Sequence, residues 1–206
     1  MLKQTANTDI EQLKQDFGLY DFDYLVSKWV IERLPSVFEG DYESYIKTKI
    51  KLSKLLGVDS CSIIFVGSSS TGFSLSPHKQ FKIFDKDSDI DIAVISHYLF
   101  DVAWHTIRNI DPNTQTADTN ISLKDHRTRL IYWGTIATDR ILGLLPFGQK
   151  WLKAINEIKK DGFFEDRDIS FRLYRDHESL RAYHINNFKS NLPGLLGVES
   201  QSITLI

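Results

Sequence analysis

Apolar positions recur at three-to-four spacing through the early part of the chain and then change period. Between positions 9 and 56 the pattern is helical: Leu25, Trp29 and the Ile31–Leu34 pair recur at three-to-four spacing, and Pro35 marks its end. A second helix is expected after Gly40, with Asp41 as its cap, carrying Tyr45, Ile46, Ile50, Leu52, Leu55 and Leu56, and closed by Gly57. From Cys61 to Val66 a short apolar run bounded by turn residues predicts a buried strand. Gly67 to Gly72 is small and polar, a loop or the opening of a helix. Positions 73–86 are irregular, and 87–95 alternate before becoming wholly apolar, which predicts a strand entering the core.

A helix is expected over 99–110, and Asp111-Pro112-Asn113-Thr114 breaks the chain. The stretch 129–136 suits either strand or helix. A helix over 151–158, an alternating strand over 169–175, a helix over 177–188 and a turn with tail after Pro193-Gly194 complete the pattern. There is no internal repeat and no linker. The simplest organisation is one α+β domain over 1–206, with a helical N-terminal segment (1–57), a core (58–176) and a C-terminal helix and tail (177–206).

Composition narrows the function. With 25 basic and 27 acidic residues the net charge is −2, and the isoelectric point is about 6.3. Long nucleic acid, which calls for a basic stripe, is therefore disfavoured, whereas a small nucleotide is not. The single cysteine, Cys61, excludes an internal disulfide framework and a cysteine zinc site. The polar start and the lack of a long apolar segment predict a cytoplasmic protein with no membrane association.

The chemistry concentrates at two places. On a strand, Asp89 and Asp91 would face the same way, roughly 7 Å apart. Two like charges near a core repel each other unless a cation neutralises them, and hard carboxylate oxygens suit Mg²⁺ shared with substrate phosphates. Gly67-Ser68-Ser69-Ser70-Thr71-Gly72 follows the preceding strand, and its small residues let backbone amides approach phosphate oxygens. A Walker A loop is excluded, because Phe73-Ser74 rather than Lys-Ser/Thr follows Gly72. A nucleophile elbow is excluded by Thr71 in its last glycine position.

Val66-Gly67-Ser68 followed by Asp89-Ile90-Asp91-Ile92 resembles the DNA polymerase β-like nucleotidyltransferase superfamily, and Ser88 before the first aspartate resembles its minimal bacterial members. The match covers about thirty residues directly. The resemblance implies a small mixed sheet of the palm type with helices packed around it, the palm at 58–176. It also implies Mg²⁺ (or Mn²⁺) at Asp89 and Asp91, and a nucleoside triphosphate held by Gly67, Ser68, Ser69 and Gly72. The reaction implied is nucleotidyl transfer to a hydroxyl of a protein, a nucleotide or a small molecule. The family uses a third acid on a neighbouring strand. Asp168 is the candidate as metal ligand and catalytic group, with Asp166 and Asp176 as competitors and Ser170 on the same face as Asp168. A serine in the third position would weaken the metal site and favour a binding protein that acts through a toxin, defence or regulatory partner.

The segment 73–86 is longer than in the minimal members, and its Ser74, Ser76, His78, Lys79 and Lys82 stand beside the site as a solvated loop or as ligand contacts. Arg172, Arg175 and Arg181 are either a triphosphate-binding patch or partners of nearby acids. The six histidines show no ligand spacing, and Trp29, Trp104, Trp133 and Trp151 read as core anchors.

Overall fold

The computed structural model describes residues 2–196. The helix α1 (Leu2–Leu19) is followed by α2 (Phe22–Val26), which runs into a wider turn over Ser27–Ile31. Asp21 caps α2 by accepting from Tyr24 N at 2.8 Å. After a short turn at Ser36–Phe38 comes α3 (Tyr42–Leu56), capped by Asp41, which accepts from Ser44 N at 2.9 Å, and closed by Gly57.

The strand β1 is Ile63–Val66 and is shorter than the expected run, because Asp59 accepts from Cys61 N at 2.7 Å and folds Ser60–Ser62 into a turn. The short α4 (Ser68–Thr71) follows, and β2 is Ile90–Ile95. The chain becomes extended only at Ile90, so Asp89 precedes the strand rather than lying on it. A turn over 85–88, in which Ser88 Oγ donates to Asp85 Oδ1 at 2.8 Å, holds the approach bent. Helix α5 (His97–Asn109) is capped by Ser96. Helix α6 (Ala117–Asp125), capped by Thr116, has no apolar periodicity to announce it, since only Ser122 and Leu123 are buried.

The ambiguous stretch around 129–136 resolves into a wide helical turn at His126–Leu130 and a three-residue strand, β3 (Thr135–Ala137). Helix α7 is Gly148–Ile158, β4 is Ile169–Tyr174 and α8 is His177–Leu196. Helix α8 continues past 188 with Pro193 inside it. The proline ring removes the backbone bond that an N–H at 193 would donate to the carbonyl four residues earlier. The tail expected at 197–206 lies outside the described residues.

The four strands form one mixed sheet in the order β1-β2-β4-β3. The pairs β1–β2 and β3–β4 are antiparallel, and β2–β4 is parallel. The fold is thus mixed α+β. One face carries Ile63, Phe65, Ile90, Ile92, Val94, Phe171 and Leu173 against Leu52 and Leu56 of α3, Phe100 and Ile107 of α5, and Trp151 of α7. The other face carries Ile64, Val66, Ala93, Ile95 and Tyr174 against Leu13, Leu25, Trp29, Leu180 and Phe188. Trp29 and Trp151 are buried anchors, while Trp104 and Trp133 are half-buried. Among the described residues, no helix is long and apolar enough to cross a membrane.

Candidate nucleotide and metal site

Strict alternation along β2 and β4 fixes which side chains share the second face. In β2 this face shows Asp91, Ala93 and Ile95; in β4 it shows Ser170, Arg172 and Tyr174. Asp91 therefore occupies the position where this face stops being apolar, next to the end of β1.

At that end Gly67 turns the chain into α4 with φ 65° and ψ −154°. Side chains other than hydrogen rarely adopt this conformation. It also brings the backbone against Asp91: a Cβ at position 67 would lie 2.8 Å from Asp91 Oδ2. The other oxygen, Oδ1, accepts a hydrogen bond from Ser170 Oγ at 2.7 Å. Asp91 is half-buried, and burial pushes its carboxyl above the ordinary value of 3.8. The Ser170 hydrogen bond and the charges of Arg172 and Lys79 oppose that shift, while the neighbouring Asp89 adds to it. Asp89 itself is exposed. Asp89 thus adds to the raised carboxyl of Asp91, whose Oδ1 Ser170 holds.

The Gly-Ser segment divides into two roles. Gly67 is exposed and Ser68 half-exposed, at the mouth. Ser69 is fully buried and its hydroxyl donates to Val66 O at 2.9 Å, so it braces the turn rather than facing solvent. Gly72 is buried and closes α4, with Ser36 Oγ 2.9 Å from where its Cβ would stand.

Asp168 is not brought to the aspartate pair. Its backbone carbonyl accepts from Ile90 N at 2.8 Å, but its side chain is 91% exposed and faces Lys159 Nζ at 3.8 Å. The residue opposite Asp91 in the parallel register is Ser170. Asp176 is committed elsewhere: it accepts from Ser179 N at 2.7 Å and pairs with Arg175 at 2.9 Å. Burial opposes ionisation of Asp176, but these bonds prevail and hold its carboxyl down at about 2. Asp166 is exposed in a left-handed turn. Among the described residues, no group of three His, Cys, Asp or Glu side chains is placed to hold a metal ion.

The segment 73–86 folds back on itself. Phe73 bridges Ile83, Ser74 N donates to Lys82 O at 2.8 Å, and Phe84 N donates to Gly72 O at 2.9 Å. Phe73 is buried against Trp29 and Phe81, which ties the segment to the second core face. Of the polar residues there, Ser74 Oγ accepts from Ser76 N at 3.2 Å and Lys82 pairs with Asp85 at 3.3 Å, whereas His78 and Lys79 are exposed. Sequence reasoning missed Arg167. Its Nη1 donates to the carbonyls of Asp85 and Ser88, at 3.1 Å for Ser88, and so sets the turn from which Asp89 projects. No local signal exists for it, because these partners lie about eighty residues away in the chain.

Compared with known proteins, the chain matches no family model, and no curated protein or solved structure is significantly similar to it.

Proposed function

We propose that this chain is a nucleotidyltransferase, which binds a nucleoside triphosphate with Mg²⁺ (or Mn²⁺) and transfers the nucleoside monophosphate to a hydroxyl acceptor, releasing pyrophosphate. The observation that carries this reading is the close approach of Asp91 to Gly67, where a side chain at 67 would have no room. It joins the aspartate of one strand to the Gly-Ser turn of the antiparallel neighbour. The donor set fits a single hard cation, since Mg²⁺ takes one or two carboxylates and completes its shell with phosphates and water. Asp89 and Asp91 would hold it, and its contribution when bound is to neutralise phosphate charge.

The rest follows from the chain's own residues. The hydrogen bond from Ser170 orients the Asp91 carboxylate before ligand arrives, and the missing side chain of Gly67 leaves room for it. Gly67 presents backbone without a side chain, and Ser68 offers an amide and a hydroxyl at the same mouth. Catalysis on this scheme rests on positioning and on charge stabilisation.

A second reading is favoured by Ser170. Ser170 lies opposite Asp91, and if that is the superfamily's third position, its hydroxyl brings neither a negative charge nor a base to the acceptor. A nucleotidyltransferase-fold binding protein with weak or absent turnover, acting through a toxin, defence or regulatory partner, would have this site. The two readings separate on incubation of the protein with labelled nucleotides, Mg²⁺ or Mn²⁺ and cell extract. Labelled product that disappears in Asp89→Ala and Asp91→Ala supports the enzyme. Metal-dependent nucleotide binding with no labelled product supports the binding protein.

A further inference from the structure

The arginines near the site have unequal fates. Arg175 is paired with Asp176 at 2.9 Å, and Arg129 with Asp125 at 2.9 Å. Arg181 donates to Asp23 O at 3.1 Å and to Ser27 Oγ at 2.8 Å. Arg172 differs: its Nη1 is shielded from solvent and has no hydrogen-bond partner among the described residues.

Its surroundings offer little compensation. The guanidinium lies over the Tyr183 ring, 5.3 Å from the centroid. His184 stays neutral near pH 7, since burial and then the charge of Arg172 depress its imidazole to about 4. Asp91 is the acid whose ionisation Arg172 favours, but no hydrogen bond joins the two among the described residues, and Asp91 Oδ1 accepts from Ser170 instead. A shielded guanidinium N–H without a partner costs free energy, which a ligand oxygen that reached it would recover.

The position of Arg172 indicates which ligand. It lies on the same face of β4 as Ser170, two residues on, beside Ala93 in the register and thus next to Asp91. Lys79, exposed in the folded-back segment that packs against α8, adds positive charge felt at Asp91. We infer that Arg172, assisted by Lys79, is a phosphate-binding residue that takes oxygens of a nucleotide's phosphate chain from the β4 side of the site. This deepens the nucleotide reading and rests on it for the identity of the ligand. The phosphate chain would then be neutralised partly by a fixed guanidinium, at a site where Ser170 lies opposite Asp91.

The test is calorimetric titration of the full chain with pyrophosphate, and in parallel with ATP and with adenosine, in the presence of EDTA. Wild-type protein is expected to bind pyrophosphate and ATP without metal, and Arg172→Gln to weaken both about tenfold or more. Arg172→Lys should retain part of the affinity, and adenosine should show no dependence on position 172. Asp91→Asn, which keeps the Ser170 hydrogen bond and removes a like charge, should tighten metal-free pyrophosphate binding. That arm keeps the inference testable if Arg172→Gln fails to fold.

Equal pyrophosphate affinity in wild type and Arg172→Gln would overturn the inference, as would no metal-free binding by wild type or no gain in Asp91→Asn. The nucleotidyltransferase reading fails on a different result, namely no gain in ATP affinity on adding Mg²⁺. Either can therefore fail alone.

Discussion

Gly67 and Asp91 constrain each other, and substitutions there have calculable consequences. A methyl at position 67 meets Asp91 Oδ2 at 2.8 Å and also forces a side chain into a region of φ, ψ that only glycine enters readily. Gly67→Ala is expected to cost about 1–3 kcal/mol of stability from backbone strain, read from the urea midpoint, and to displace Asp91 so that Mg²⁺-dependent nucleotide binding falls with it. Asp91 itself makes a pH-dependent contribution of known sign. Burial raises its carboxyl above 3.8, so the unfolded chain ionises first and binds fewer protons. Stability then falls as pH rises from about 3.8 through the raised value, and the full cost persists at pH 7. Asp91→Asn should be more stable than wild type at pH 7 in metal-free buffer and indistinguishable from it at pH 3. Equal urea midpoints at both pH values would contradict this account of Asp91.

At the level of elements, β4 decides what kind of site this is. The parallel register sets Ser170 opposite Asp91, while Asp168 remains outside the strand and points to Lys159. Ser170→Asp places a carboxylate opposite Asp91. Without metal it should destabilise the protein, because a second acid is forced against Asp91. Mg²⁺ or Mn²⁺ at millimolar concentration should restore the melting temperature by more than it raises that of wild type. A second element-scale device ties α1 to the turn after α2. Asp16, 1% exposed, accepts from Trp29 Nε1 at 2.9 Å and pairs with Lys28 at 2.7 Å. Burial opposes the charge on Asp16, but the bonds from Lys28, Gln12 and Trp29 outweigh it and lower the carboxyl. Asp16→Ala leaves the buried indole N–H unpaired and is expected to cost about 1–3 kcal/mol, measured by urea unfolding at pH 7.

For the whole molecule, legibility tracked how local each determinant is. The Asp41 and Gly57 boundaries of α3 could be read in place, and so could the apolar runs that become β1 and β2. Gly67 was marked by its neighbours. What could not be read depends on distant pairing. The register of β4 on β2 sets Ser170 opposite Asp91, and Arg167 reaches carbonyls about eighty residues away. Helix α6 buries too little apolar surface to show a period. The same pairing isolates Arg172 from the arginines that share its stretch of sequence, each of which found a partner.

The central claim is that Asp89 and Asp91, set against Gly67 and Ser68, form a metal-dependent nucleotide site. It is tested most directly by calorimetric titration of wild type and Asp91→Asn with a non-hydrolysable ATP analogue, with and without Mg²⁺. Mg²⁺ is expected to strengthen binding to wild type about tenfold or more, as charge-assisted contacts of this kind do, and Asp91→Asn to lose this gain while remaining folded. Equal affinity with and without Mg²⁺ in wild type, or an undiminished Mg²⁺ effect in Asp91→Asn, would contradict it.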